Sequence, residues 1–351
     1  MNPSTTSQQR MNPQFFFTLF GCALLIGLVL SINFGAYALT WRDWQDIAAS
    51  IIGQNNTAAT TVFWQIRVPR VILATVVGAG LGMVGSALQD LFRNPMADPG
   101  LLGVSSGSAL AVGVVMVLGS VLFPSFAKTL SIFTYPAAAF IGGVVVTWLI
   151  YRLGSSNQGV SVQMMLLAGI AINVLCESMI AILNYIANDE QLRQFNNWRM
   201  GSLAGQSWIV VIMCSSLVAI SALILLPCAR GLNLMALSEA DAKSMGINVV
   251  RLKQRIVVGA TLAVGAVVSS AGMVMFVGLA APHLVRLMCG PNQKYVMAGS
   301  MLLGAGLTLL ADAFARQLIS PAEIPLSIPL ALLGAPLFIH LLRKAKQEHA
   351  L

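Results

Sequence analysis

The chain has 351 residues, of which 57% are hydrophobic and only 9% charged, with a formal net charge of +8 and a mean hydropathy of +0.81. Soluble domains carry about 25% charged residues, so the composition excludes one and defines an integral membrane protein. The apolar runs reach the ~20 residues that take a helix across ~30 Å of hydrocarbon, and they are too continuous for the ~10-residue alternating strands of an outer-membrane barrel.

In chain order the runs predict spans at 15–35, 69–89, 101–120, 134–151, 163–186, 208–227, 256–271, 273–289, 296–313 and 327–342. The expected architecture is therefore all-α and polytopic, one domain over 1–351 with ten transmembrane helices. The run Val257–Val285 is the ambiguous one, suiting two short helices or one long bent one. Residues 1–12 are polar and no small-residue cleavage site precedes Trp41, so the first span reads as a retained anchor. Ten spans place both termini on one side. With that side cytoplasmic, 13 of the 20 Lys and Arg face inward, including Arg10, Arg93, Arg152, Arg286, Lys294, Arg343, Lys344, Lys346 and a basic cluster within 230–255, as the positive-inside rule requires. Lys128 is among those outside. The charge of +8 then reads as topology and attraction to membrane lipid, with no nucleic-acid partner needed.

The cluster at 230–255 is the longest polar interruption of the chain. Its spacing predicts two short helices, Leu232–Ala236 and Glu239–Met245. Ser238 is placed as N-cap of the second, with Asp241 completing a capping box and Gly246 ending it in a left-handed conformation. Two capped helices in a basic loop suit presentation to a partner, and equally a connector lying on the membrane surface.

Reactive residues are sparse. Five cysteines (22, 176, 214, 228, 289) lie in or beside apolar spans without C-x-x-C spacing, and are expected as buried thiols. His283, His340 and His349 fall in separate segments, so neither a metal site nor a nucleophile–base pair can be assembled. None of the six lysines follows a glycine, which excludes a P-loop. Glu177 lies inside a span and Asp312 near the outer end of another, thin support for ion coupling.

Several segments carry more. IRVPR at 66–70 opens a span rich in small residues, Gly78, Gly80, Gly82 and Gly85, which allow close backbone approach. RNPMADPGLLG at 93–103 breaks the helix where it must line protein or a cavity. GMVMFVGLAAPHLVR at 272–286 and EIPLSIPLALLGAPLF at 323–338 lie near the other end. Gly78-Ala79 with Gly85 echoes Gly265-Ala266 with Gly272, as in inverted transporter repeats, although three small residues at matched spacing also arise from composition.

With LLAGIAI at 166–172, WRMGSLAGQSW at 198–208, LNLMALSEADAKSMG and the Asp312/Arg316 pair, these motifs make the chain, from about 60 to 342, resemble the FecCD-type permease subunits of bacterial ABC importers for ferric siderophores, haem and cobalamin. The resemblance implies ten helices per subunit, a homodimer around a central path in the bacterial inner membrane, two separate ATP-binding cassette subunits below and a periplasmic substrate-binding protein above. It implies no catalytic residue, cofactor or bound metal in this chain. Ser238, Glu239, Ala242 and Gly246 fall in the paired coupling helices at about 230–250 that transmit ATPase closure. Arg67, Arg70 and Arg316 match arginines that dock the binding protein, and Asn94 and Met96 match positions narrowing the cytoplasmic end of the path. The sequence departs from the family pattern at Glu177, at Asn292-Gln293-Lys294, and at Ser327 and Pro329. The segments 189–208 and 249–266 look more like haem permeases than the cobalamin branch, which makes haem the expected cargo, ahead of ferric siderophore or cobalamin. The reading from another class is an ion-coupled carrier using Glu177. Against it, Glu177 is expected as a packing or polar-network residue and not a proton relay, since a carboxyl in apolar surroundings can stay neutral and be tolerated without a charge partner.

Overall fold

The computed structural model describes residues 11–33, 35, 37–51, 53, 57–122, 131–156, 159–318 and 323–336. Arg10, Lys128, His340, Arg343, Lys344, Lys346 and His349 lie outside the described residues, as does the 337–342 end of the last expected span.

The helices are α1 Pro13–Asn33, α2 Trp41–Ile51, α3 Ala58–Leu91, α4 Val104–Leu122, α5 Ser131–Gly154, α6 Val162–Ile186, α7 Asp189–Arg199, α8 Trp208–Leu225, α9 Ala229–Leu237, α10 Glu239–Ser244, α11 Val249–Ala271, α12 Val277–Cys289, α13 Gln293–Leu318 and α14 Ser327–Pro336. Among the described residues seven helices are long and apolar enough to cross a membrane, and the stretches Val104–Gly119, Val277–Cys289 and Ser327–Pro336 are shorter apolar helices. The protein is thus a polytopic helical membrane protein. The departure from all-α is a two-residue antiparallel ladder, Ser155–Ser156 against Gly159–Val160.

The ambiguous apolar run resolves into two helices. Gly272 ends α11 at φ +72°, where an added Cβ would sit 2.3 Å from the Trp198 carbonyl oxygen, and Phe276 adopts φ +68° before α12 begins. Only glycine fits that combination of left-handed backbone and close approach. The echo with Gly85 fails here, because Gly85 sits inside α3 and Gly272 terminates its helix.

The bundle is layered by burial. The most apolar windows of α3, α11 and α13 are 78%, 72% and 61% buried, whereas those of α1, α5 and α6 are 11%, 22% and 28% buried and turn apolar side chains outward. Helix α3 is the axis. It begins with a reciprocal Thr57–Thr60 cap and passes through a π-helical stretch, Val62–Arg67, just ahead of Pro69, whose missing N–H interrupts the regular ladder. Added Cβ atoms at Gly78, Gly82 and Gly85 would meet the carbonyl oxygens of Gly304, Ser300 and Gly278 at 2.2, 2.0 and 1.8 Å. α3 therefore packs backbone to backbone on α13 and α12, as small-residue interfaces in lipid do. Gly85→Val is expected to exceed the about 1–3 kcal/mol of ordinary overpacking, because the obstacle is backbone. Gly80→Ala, whose methyl would meet side chains and no backbone, Val218 at 3.3 Å and Val267 at 3.6 Å, should be tolerated far better. Thermal unfolding in detergent distinguishes them, and equal melting temperatures would refute this packing role.

Loops gather at two ends. At one end Met11 N–H donates to the Met288 carbonyl (2.9 Å), near the Asn94 elbow, the 155–160 ladder and α9–α10. At the other lie Asn33, Tyr37, Arg67–Arg70, Gly201, Met273 and Glu323–Ser327.

Candidate functional site: the two ends of the bundle

The paired helices of the polar island form close to where the spacing places them, as α9 and α10. The Ser238 hydroxyl accepts from Asp241 N–H (2.9 Å) and donates to the Asp241 carboxylate (2.6 Å). Gly246, at φ +83°, closes α10, with Gly246 N–H bonded to Lys243 O and Ile247 N–H to Ala242 O, each at 3.0 Å. Both bonds together make a Schellman stop.

Two of the four expected coupling residues point the other way. Ala242 is fully buried within the chain and cannot touch a partner. Glu239 reaches inward to Lys253 Nζ at 2.7 Å, and that ammonium, 4% exposed, also donates to the Val160 carbonyl at 2.8 Å. Ser238 and Gly246 shape the helix, and Glu239 and Ala242 anchor it. The surface turned outward is Leu237 and Met245, 71% and 63% exposed, with Lys243 and Ser244 between them. Spacing alone missed this, although two large apolar side chains in a polar loop were a readable signal.

The elbow after α3 is tied to the same element. Arg93 sits at φ +49°, unusual for a side chain with a Cβ, and its Nη2 donates to the Met235 carbonyl of α9 at 2.6 Å. Next to it, the Asn94 side-chain oxygen accepts from Met96 N–H (2.9 Å) in an Asx turn, and both residues are exposed. Asp98 caps the following turn through Gly100 N–H (2.8 Å). Burial pushes its carboxyl up, and that bond opposes the rise. On the other side of α9, Asn233 donates to the Asn292 side-chain oxygen (3.1 Å) and accepts from Gln293 N–H (2.8 Å). Arg286 of α12 completes the layer, pairing with Asp90 at 2.7 Å and bonding Gln89. Arg93 was read from the sequence only as a topological charge. An arginine bonded across 142 residues of chain was not predictable from spacing.

At the opposite end the three expected docking arginines are brought together, yet they do not face outward. Arg67 is 4% exposed and donates to the carbonyls of Ile32 (2.5 Å), Asn33 (2.9 Å) and Tyr37. Arg70 is 8% exposed, pairing with Asp312 at 2.9 Å and Glu323 at 2.6 Å. Arg316 pairs with Asp312 at 3.2 Å and donates to the Ser31 hydroxyl at 2.7 Å. A guanidinium withdrawn from water needs its donors filled, and this chain supplies the acceptors itself. Glu323, with a side chain 39% exposed, is the one acid of the cluster open to the outside. Ser327, another departure from the family pattern, donates to the Met273 carbonyl at 2.8 Å and ties α14 to the 272–276 break.

Glu177 also has a partner. It meets Arg199 of α7 at 3.1 Å on an outward face of α6 that carries Ile170, Val174, Leu175 and Ile182. Of the two roles expected for it, packing or a polar network, the pair fits the second, and the side chain is 47% exposed. Four cysteines are buried as expected, while Cys22 is exposed. Among the described residues no three His, Cys, Asp or Glu side chains gather into a metal-holding group.

A helical bundle whose axis packs through glycine backbones, with a capped helix pair tied into one end and a buried arginine–carboxylate cluster at the other, has the anatomy of a membrane transport subunit. The model of the FecCD transport family matches residues 23–344, and the chain belongs to that family. It is 38% identical over 341 residues to the hemin transport system permease protein HmuU of Yersinia pestis, covering 97% of this chain and 99% of that one. It is 33% identical over 345 residues to the vitamin B12 import system permease protein BtuC of Serratia proteamaculans strain 568, covering 97% and 96%. A solved inward-facing structure of an ABC transporter of metal-chelate type superposes with a TM-score of 0.81 at 31% identity, covering 95% of this chain and all of that one.

Proposed function

We propose that this chain forms the path by which haem crosses the bacterial inner membrane from periplasm to cytoplasm. It is the permease subunit of an ABC importer and not itself an enzyme, since ATP hydrolysis in such importers belongs to a separate subunit. The observation that carries the cargo assignment is the identity to the hemin permease, 38% against 33% for the B12 permease, each over nearly the whole chain.

In this reading the chain is one domain of ten spans, with the α9–α10 end and both termini in the cytoplasm, where the basic residues concentrate. Leu237, Lys243, Ser244 and Met245 face the ATPase, held by the Ser238 cap, the Gly246 stop, buried Ala242 and the Glu239–Lys253 bridge. Asn94 and Met96 narrow the cytoplasmic mouth. At the periplasmic end an acidic group of the binding protein reaches Arg70 by displacing Glu323, while Arg67 and Arg316 hold the platform. A second copy covers the α6 face. Support comes from the Glu177–Arg199 pair, because ionised groups at membrane depth face a partner or a watered cavity in preference to lipid.

The test is reconstitution with the cognate ATPase and binding protein, offering haemin, a ferric siderophore and cobalamin in parallel. ATP-dependent haemin uptake is expected at least about tenfold above the others, the margin that 1.4 kcal/mol of discrimination gives. Uptake of either other cargo with none of haemin would refute the haem assignment and leave the family untouched.

A further inference from the structure

Between the end of α8 and the first turns of α11 lies a cleft of about 670 Å³. Leu223 and Ile224 form one wall, and Arg251, Gln254, Arg255 and Val258 the other. Arg251 and Arg255 stand one helical turn apart and so share a face. Both are exposed, and among the described residues neither guanidinium has a hydrogen-bond or ion-pair partner. The neighbouring charges are spoken for, with Lys253 and Glu239 paired to each other and Asp241 holding the Ser238 hydroxyl. Towards the membrane interior the helices are clamped together. The Ser221 hydroxyl donates to the Gly259 carbonyl at 2.7 Å, and an added Cβ at Gly259 would lie 2.7 Å from Leu225. The cleft therefore opens sideways, just below this crossing.

Its two halves make opposite demands. Leu223 on one wall is 76% exposed and Val258 on the other 52% exposed, and both belong to helices apolar enough to span a membrane, so the end of the cleft they form lies in hydrocarbon. The arginine side needs anions. A free phosphate would satisfy the arginines and leave the apolar end unused, and an acidic protein surface would bring carboxylates against exposed leucine. An anionic phospholipid meets both, its phosphate between the guanidinium groups and its acyl chains along Leu223 and Val258.

We propose that this cleft is a binding site for the headgroup of an anionic phospholipid. It requires only the membrane-spanning fold, so its failure would not touch the haem reading, and failure of haem uptake would not touch it. Native mass spectrometry of the purified full chain in detergent tests it, with phosphatidylglycerol, phosphatidylethanolamine and inorganic phosphate added separately. Phosphatidylglycerol is expected to bind preferentially. Arg251→Gln with Arg255→Gln should weaken it about thirtyfold, at about fivefold per basic residue, and leave phosphatidylethanolamine unaffected. Because both side chains are exposed and unpaired, the double variant should fold. Leu223→Trp, which fills the apolar half and keeps both charges, should weaken phosphatidylglycerol independently. Three results would overturn the proposal: undiminished phosphatidylglycerol binding by both variants; displacement by equimolar inorganic phosphate, which would make this a free-anion site; and a double variant that keeps the lipid yet no longer co-purifies with the ATPase subunit, which would make the arginines a protein contact.

Discussion

Asp312→Ala is expected to destabilise the protein by about 3–5 kcal/mol, the cost of leaving a buried charge without its partner. Asp312 is 1% exposed and takes Arg70 at 2.9 Å and Arg316 at 3.2 Å. Its removal takes the carboxylate from Arg316, which keeps the neutral Ser31 hydroxyl, and leaves Arg70 to Glu323. Replacing the buried charges together, Arg70→Met and Arg316→Met with Asp312→Leu, should restore much of the loss, because the acid left over, Glu323, has a side chain 39% exposed to water and apolar groups of similar volume fill the site. Thermal unfolding of the three proteins in detergent is the measurement. If the arginines served only to greet an external partner, Asp312→Ala would leave the melting temperature unchanged and weaken binding-protein association alone. That outcome would refute the internal role. The structure favours the internal role because the acceptors of all three arginines belong to this chain.

That cluster also marks the boundary of what the sequence discloses. The long apolar helices were legible because the bilayer imposes a length and a composition on them that no tertiary contact overrides. The Ser238 cap and the Gly246 stop were legible because their partners lie within five residues. The direction in which Arg70 or Ala242 points was not, since Arg70 finds its acid 242 residues away and Ala242 is turned inward by the packing of α10 on α11. The short helices α2 and α7 were missed for another reason. Hydropathy windows tuned to spans pass over 11-residue amphipathic helices. For α7 the signal was nonetheless present, in Asn188 three residues ahead of Gln191, a capping box that the structure forms on both arms. The break at Gly272 lay between, because a glycine in an apolar run permits a stop and only the Trp198 carbonyl at 2.3 Å from its missing Cβ requires one.

On the importer function proposed above, the second large effect concerns transmission from the ATPase to the path. Arg93→Ala is then expected to reduce uptake of the cargo by about 10–100-fold, the equivalent of the ~1.5–3 kcal/mol of a charge-assisted hydrogen bond, while the assembled complex continues to hydrolyse ATP. The Arg93 guanidinium holds the Met235 carbonyl at 2.6 Å, so a displacement of α9 is passed directly to the backbone that carries Asn94 and Met96. Without the bond, α9 can move and leave the elbow behind. Arg93→Lys keeps one donor on a long stem and should recover part of the coupling. The left-handed backbone supplies the necessary control, since φ +49° is a strain that glycine would relieve. Arg93→Gly removes the bond and the strain together. If the bond matters, Arg93→Gly uncouples as Arg93→Ala does. An Arg93→Gly protein with parental uptake would show that backbone geometry alone sets the elbow, and the transmission role would fall. Uptake and ATP hydrolysis measured on the same proteoliposomes separate coupling from assembly, because a protein that merely misfolds loses both and an uncoupled one loses only transport.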